Sequence, residues 1–360
     1  MDINFEVEFN KVRKQTGSLS LVENFSLFSK EFQLNDVINL KYSLINGVLR
    51  FATCKIELSL WRVLLLSLKQ ESELKLNEIV LYDVEIDHQH ILDLTLYLRH
   101  ILYLPVLRLE YLYFISSSDL DVSQSISSLV TPESGLLIDY LSLKGNKFAP
   151  SCMVDYFIPA LKSNLFIKAL NLCGNDLCDS DLYELSKALK FNPSLTHLYY
   201  TPYTTDTTLA IQLQPFFDLL TGLPYTSEDE ALYKRLTKDQ IDKNKIIKTL
   251  NKTRKKLNQE EITEITALPT KQTVNNTPTI TNTTLNSLYI QYTDTSTIGT
   301  DIIHIDELVM KHFPYDKGQN YDSDKDIKLH ITVQTGVYCN NSIETKPSEH
   351  QFGHVKLIYT

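Results

Sequence analysis

Hydrophobic residues recur along the first two-thirds of the chain in one spaced pattern. The sequence reads Ile138-x-x-Leu141-x-Leu143-x-x-Asn146, then Ile167-x-x-Leu170-x-Leu172-x-x-Asn175, then Leu195-x-x-Leu198-x-Tyr200-x-x-Tyr203. The frame advances by 29 and then 28 residues. It extends backward through Leu104-x-x-Leu107-x-Leu109-x-x-Leu112, Leu76-x-x-Ile79-x-Leu81-x-x-Val84, Leu49-x-Phe51-x-x-Cys54 and Leu19-x-Leu21-x-x-Asn24. Alternation over each L-x-L core predicts a strand. Helical spacing follows it: Ile56, Trp61, Leu64 and Leu68 after Cys54; Ile86, Ile91, Leu94 and Leu98 after Val84; Leu177, Leu182, Leu185 and Leu189 after Asn175. These fall at the same offsets, +2, +7, +10 and +14, in all three units.

A strand and a helix repeating every 28–30 residues bury their apolar faces only against neighbouring copies, which is the logic of a solenoid. The best-formed unit is Leu170-Asn-Leu172-Cys-Gly-Asn175-Asp-Leu177, followed by Leu182, Leu185, Ala188, Leu189 and Asn192. It resembles the ribonuclease-inhibitor type of leucine-rich repeat, a class shared by tropomodulins, Ran GTPase-activating protein and NOD-like receptors. The resemblance covers roughly residues 16–225. It implies an α/β horseshoe with parallel strands on the concave face and helices on the convex face. It implies no particular activity.

The array departs from that pattern in places. Val84, Leu112 and Tyr203 replace the asparagine that bonds the turn backbone. The repeat after Leu112 is about six residues too long, and its extra polar stretch, Ser116 to Ser123, is expected to loop out.

The repeat frame ends near residue 225, giving a solenoid with its N-terminal cap over 1–225. A basic helical segment follows over 226–265. Residues 231–257 carry ten Lys/Arg against Asp239 and Asp242, a balance of +8 in a chain of net charge −9. Lys245, Lys248, Lys252, Arg254, Lys255 and Lys256 concentrate that charge toward the helix C-terminus, where cations suit the helix dipole. A solvated cap over the last repeat is the simplest role. Binding an acidic protein, RNA or a filament surface is the alternative, and a short coiled coil is hindered by Gln240, Lys243 and Arg254 on the seam. Residues 266–284 are rich in Thr, Asn and Pro and read as a linker. Residues 285–360 read as a small α+β unit, with alternation over Leu288–Tyr292, Ile327–Val333 and Val355–Tyr359.

The chain is 43% hydrophobic, so a substantial core is expected. Its net negative charge argues against whole-chain binding to nucleic acid or an anionic membrane. No glycine-rich phosphate loop occurs. The five scattered cysteines, an acidic N-terminus in place of a signal peptide, and the lack of a uniformly apolar stretch of about 18 residues point to a cytoplasmic protein with no membrane span.

Motifs for chemistry are sparse. Asp322, Asp324 and Asp326 open like a calcium loop, but Ile327 and Val333 stand where Gly and Glu are needed. His350 and His354 precede a strand rather than share a helix. His88 and His90 are expected to be exposed polar residues at a helix start. No catalytic set, metal site or cofactor is expected.

An interaction surface is the positive expectation. In the implied fold the leucines point inward, and the intervening residues face the concave side. Those residues are Arg50, Tyr82, Asp83, Arg108, Glu110, Tyr111, Tyr140, Lys144, Asn171, His197 and Tyr199. Tyr and Arg are enriched at binding hot spots, which singles out Tyr82, Arg108, Tyr111, Tyr140 and Tyr199. The plainer reading is that Tyr is common here, with 20 in the chain. The expected function is a non-enzymatic scaffold that docks a partner protein on this face. The alternatives are a GTPase regulator resembling Ran GTPase-activating protein, or a cytoskeletal, ciliary or nucleic-acid adaptor acting through the basic helix.

Overall fold

The computed structural model describes residues 43–70, 76–131, 136–148, 152–202, 209–274, 277–282, 284–292, 307–311, 329–335, 348–352 and 355–359. The unit around Asn24, the position of Tyr203, and the acidic run Asp322–Asp326 lie outside these residues. The chain divides into two compact units, Met1–Ala160 and Leu161–Thr360.

The first unit opens with a hairpin. β1 (Ser43–Ile45) pairs antiparallel with β2 (Val48–Lys55). Asn46 and Gly47 turn it with φ of 53° and 78°, the left-handed pair a tight two-residue hairpin needs. Helix α1 (Leu58–Gln70) follows, then β3 (Glu78–Ile86), α2 (His88–Ile101), β4 (Tyr103–Glu110), the short β5 (Tyr113–Phe114), α3 (Asp119–Ser128) and β6 (Leu137–Ser142). A π-helical turn, Cys152–Phe157, leads into α4 (Ile158–Leu161). Strands β2, β3, β4 and β6 run parallel in chain order, and β5 pairs with the end of β3.

Register follows the sequence frame. Leu49, Ile79, Leu107 and Leu141 stand side by side, all fully buried, and Phe51, Leu81 and Leu109 form the next row. The Phe51 ring meets Trp61 of α1 edge-on at 5.6 Å, so the helices cover this leucine side of the sheet. Ile56, Trp61, Leu64, Leu68, Ile86, Ile91, Leu94 and Leu98 are all buried, as their shared offsets predict.

Two local expectations are corrected. Ser116–Ser123 does not loop out. Ser118 caps α3, accepting from the Asp121 amide at 3.2 Å while Asp121 accepts from the Ser118 amide, and Val122 and Ile126 are buried behind them. The reciprocal Ser–Asp cap starts a helix where polarity alone suggests a loop. His90 is buried rather than exposed. Its Nδ1 accepts from the Asp87 amide at 3.2 Å and its Nε2 meets the Ile56 carbonyl at 3.0 Å, so it closes the N-terminus of α2.

The second unit contains β7 (Ala169–Leu177), α5 (Asp179–Ala188), β8 (His197–Pro202), α6 (Leu209–Thr221), β9 (Leu223–Pro224), α7 (Ser227–Lys256), β10 (Lys271–Val274), β11 (Thr277–Ile280), β12 (Ser287–Tyr292), β13 (Leu329–Thr335), β14 (Ser348–Phe352) and β15 (Val355–Tyr359). β12 pairs parallel with β8 and β13, β15 continues on β13, and β14 closes the edge antiparallel. Leu170, Leu198, Leu288, Ile331 and Leu357 share one row. The residues read as a separate C-terminal unit thus extend the sheet of β7 and β8.

The frame itself resumes at Leu285-x-x-Leu288-x-Ile290, 90 residues after Leu195-x-x-Leu198-x-Tyr200. The segment expected as a linker carries β10 and β11, a hairpin that pairs with β9. Asparagines mark the resumption. Asn164 Oδ1 accepts from the amides of Phe166 and Ile167, and Asn192 Oδ1 accepts from those of Ser194 and Leu195. Asn282 Oδ1 accepts from Thr284, and its Nδ2 donates to the carbonyls of Leu189 and Asn192. Asn192 Nδ2 in turn donates to Asn164 O. Each asparagine turns the chain into its own strand, and those at 192 and 282 also tie it to the turn before.

Replacing Asn282 by alanine leaves two buried carbonyls and one amide without these partners. A loss of about 2 kcal/mol, within the range for orphaned buried groups, is expected in chemical denaturation. Unchanged stability would show that the ladder does not hold β12 in place.

Candidate functional site

The sheet side opposite the helices in the first unit gathers most of the expected interaction residues. Register places Arg50, Val80, Arg108 and Ser142 in one row, with Ala52, Tyr82 and Glu110 in the next. Arg108 is the hub. Its Nε donates to Glu78 Oε1 at 2.6 Å, its NH1 lies 3.6 Å from Glu110, and its guanidinium carbon sits 4.9 Å from the Tyr140 ring centre. Burial opposes the guanidinium charge, but Glu78, Tyr140 and Glu110 outweigh it and raise the pKa. The planar fork is therefore held charged and fixed, with its side chain 40% exposed. Tyr82 meets Tyr111 edge-to-face at 5.3 Å, and Lys144 Nζ lies 5.9 Å from the Tyr111 ring.

The four parallel strands of the first unit share one unusual turn, within β2 and β3 and just after β4 and β6. Thr53, Asp83, Tyr111 and Gly145 have φ of 50°, 54°, 54° and 72°. They occupy one repeat position, the residue before Cys54, Val84, Leu112 and Asn146. In the second unit Gly174, before Asn175, has φ 70°. Asn146 secures its turn by accepting from Leu112 N at 2.8 Å and donating to the carbonyls of Leu109 and Leu143. The left-handed conformation suits glycine. For a threonine or a tyrosine it is an outlier costing of order 1 kcal/mol or more. Tyr111 holds it with its ring laid on Gly145, where an added Cβ would come within 2.4 Å of two ring carbons.

Not every expected residue joins this cluster. Arg50 is exposed, across Val80 from Arg108. Tyr199 belongs to the second unit, where its ring stacks on Tyr289 at 4.2 Å and 9°, and Tyr289 also lies parallel to His197 at 6.2 Å. Burial lowers the His197 pKa, favouring its neutral form. Glu78 and Tyr289 are participants that the repeat reading omits. Glu78 lies one alternation before Val80, and Tyr289 is the intervening residue of the resumed L-x-x-L-x-I frame.

The basic helix α7 is anchored rather than free. Lys190 donates to Asp229 and to the Pro224 carbonyl, and Arg235 donates to Ser163 Oγ. Leu236, Lys243 and Ile247 are buried. Residues 258–268 return along the helix as an extended strap with Ile262, Ile265 and Leu268 buried at every third position. Asn244 bonds both the amide and the carbonyl of Ile265, and Asn251 does the same to Ile262. Of the named cations, Lys245 pairs with Asp242, Lys248 pairs with Glu264, and Arg254 donates to the Glu260 carbonyl. Lys252, Lys255 and Lys256 are exposed with no acidic partner among the described residues.

Among the described residues no group of His, Cys, Asp and Glu could hold a metal, and no helix is long and apolar enough to cross a membrane. Among the described residues Cys54, Cys152, Cys173 and Cys178 form no disulfide with one another. No family model matches the chain, and no curated protein matches it at a significant level.

The Gly145→Ala protein is expected to lose at least about 2 kcal/mol, from the left-handed backbone and the displaced Tyr111 ring. Adding Tyr111→Ala relieves the ring overlap, so the double variant loses less than the sum of the single losses. Strict additivity in urea melts would refute the contact. Acid provides a second check. Burial raises the Asp229 pKa, but the bond from Lys190 and the Thr226 amide more than offset this and leave it lowered. Its stabilisation is therefore complete above the unfolded carboxylate value of about 3.9 and is lost as pH falls through the lower folded value. Asp229→Asn should flatten the acid limb of the stability curve. An unaltered limb would exclude this pair.

Proposed function

We propose that this protein is a non-enzymatic interaction scaffold of the leucine-rich-repeat kind, and that the open sheet face of its first unit docks a partner protein. The conserved register of L-x-x-L-x-L strands followed by helices, within each unit, supports the repeat reading. One observation supports the docking reading above the others. Tyr111 occupies a left-handed turn position where glycine stands in two other repeats, and it sits in a half-buried cluster with Tyr82, Lys144, Arg108 and Tyr140. A residue that costs backbone energy without filling the leucine core has its use on the surface. Rigid Tyr and Arg side chains held by neighbours lose little entropy on binding, which is how hot spots work.

The partner's complement is mixed rather than singly charged. Arg50, Arg108 and Lys144 are offset by Glu78, Asp83 and Glu110. Arg108 already has carboxylate partners, so aromatic and backbone contacts would carry the affinity and charge would set orientation.

The test uses the full chain in its own cells. Proteins co-purifying with the wild type are quantified against Arg108→Ala and against Tyr111→Ala with Tyr140→Ala, each first checked for native circular dichroism. A direct partner should weaken about tenfold or more in both variants when remeasured with purified components. Full retention of every partner by folded variants would remove the sheet face as the docking site.

A further inference from the structure

Helix α7 presents a second surface, independent of the sheet face. It is 30 residues long, about 45 Å. Its inward side is defined by Leu236 and Ile247, and its flank by Gln240, Asn244 and Asn251, which bond the returning strap. The opposite side carries Lys234, Lys238, Lys245, Lys248, Lys252 and Lys255, with Ile241 at the one remaining place in the row. From Lys234 to Lys255 the steps alternate four and three without a break. All six lysines are exposed, and Ile241 is 53% exposed.

We infer that this crest docks an acidic helix of a partner protein, one presenting a carboxylate once per turn and an apolar residue opposite Ile241. The alternating four–three step averages 3.5 residues, the period at which two helices lying side by side keep one row in contact. The helix beneath the crest is anchored by Lys190–Asp229 at one end and by the paired bonds of Asn244 and Asn251 along the strap. Its flank already accepts such a group: Glu264, on the strap, pairs with Lys248 at 3.4 Å.

Charge composition selects a protein over a phosphate polymer. Both arginines of α7 point elsewhere, Arg235 to Ser163 and Arg254 to Glu260 O, so the crest lacks the planar forks that suit phosphate. The +8 of residues 231–257 sits in a chain of −9, so the remainder carries −17 and repels an extended polyanion. A single acidic helix meets only the crest.

Fluorescence anisotropy of labelled probes with the full-length protein decides the point. The probes are a helical peptide with glutamates at alternating four–three steps and one central leucine, a peptide of the same composition with those residues scrambled, and a DNA duplex. Phosphatidylcholine vesicles containing phosphatidylserine are tested by co-sedimentation. The ordered peptide should bind about tenfold more tightly than the scrambled one and weaken as salt rises. The variant Lys238→Glu/Lys245→Glu/Lys252→Glu, on exposed positions and verified by circular dichroism, should lose the acidic peptide and bind its lysine counterpart. Three results each overturn the inference: no binding of the ordered peptide, equal binding of the scrambled one, or tighter binding of duplex or vesicle.

Discussion

A hairpin cannot join two parallel strands. For β12 to lie parallel to β8 the chain must cross over and return to the starting end of the sheet, or the edge of β8 stays unpaired. That constraint governs the second unit. After β8 the chain leaves the sheet, builds α6, α7, the strap and the β10–β11 hairpin, and only then returns as β12 to satisfy the edge of β8. The amides of Asn286 and Ser287 both donate to the Thr196 carbonyl, as those of Thr196 and His197 donate to Lys168 one strand earlier. Asn282 fixes where the return begins. The inserted helix is therefore an excursion within a continuing sheet, held at both its root and its end.

This arrangement explains which parts of the fold are legible in the sequence. Leu49, Ile79, Leu107 and Leu141 are recognisable because burial on one side of a strand demands an apolar residue at each of those positions, and register keeps them in a row. The resumed frame at Leu285, Leu288 and Ile290 has the same signature, yet it falls 90 residues on, behind a segment rich in Thr, Asn and Pro. That composition suits a linker, and it suits a hairpin and an asparagine-anchored turn equally well. Composition cannot separate them; the partners of Asn282 do. Capping has the same character. Ser118–Asp121 and Asp87–His90 each depend on two side chains facing each other across one turn, which polarity alone does not reveal.

The candidate surface is legible in part, for a related reason. Alternation places Tyr82, Arg108 and Tyr140 on the open side of the sheet. Glu78 belongs there by the same alternation, one step before the L-x-L core. Backbone strain leaves a trace only where glycine relieves it. Gly145 and Gly174 announce the left-handed turn, and the same place in the L-x-x-L-x-L frame then assigns Thr53, Asp83 and Tyr111 to it. Nothing else in the sequence marks those three as left-handed.

The strained positions bear on how stability and interaction divide in the first unit. Glycine at 111 would fit the backbone as it does at 145, so the turn by itself does not require the tyrosine. Its ring touches Gly145 on one side and Tyr82 on another, and Lys144 lies near its face, so it links the end of β4 to the strands on either side. The same contacts that restrain the ring also present it. A surface made this way is rigid because the repeats beneath it are packed, and it is costly because the turn beneath it is strained.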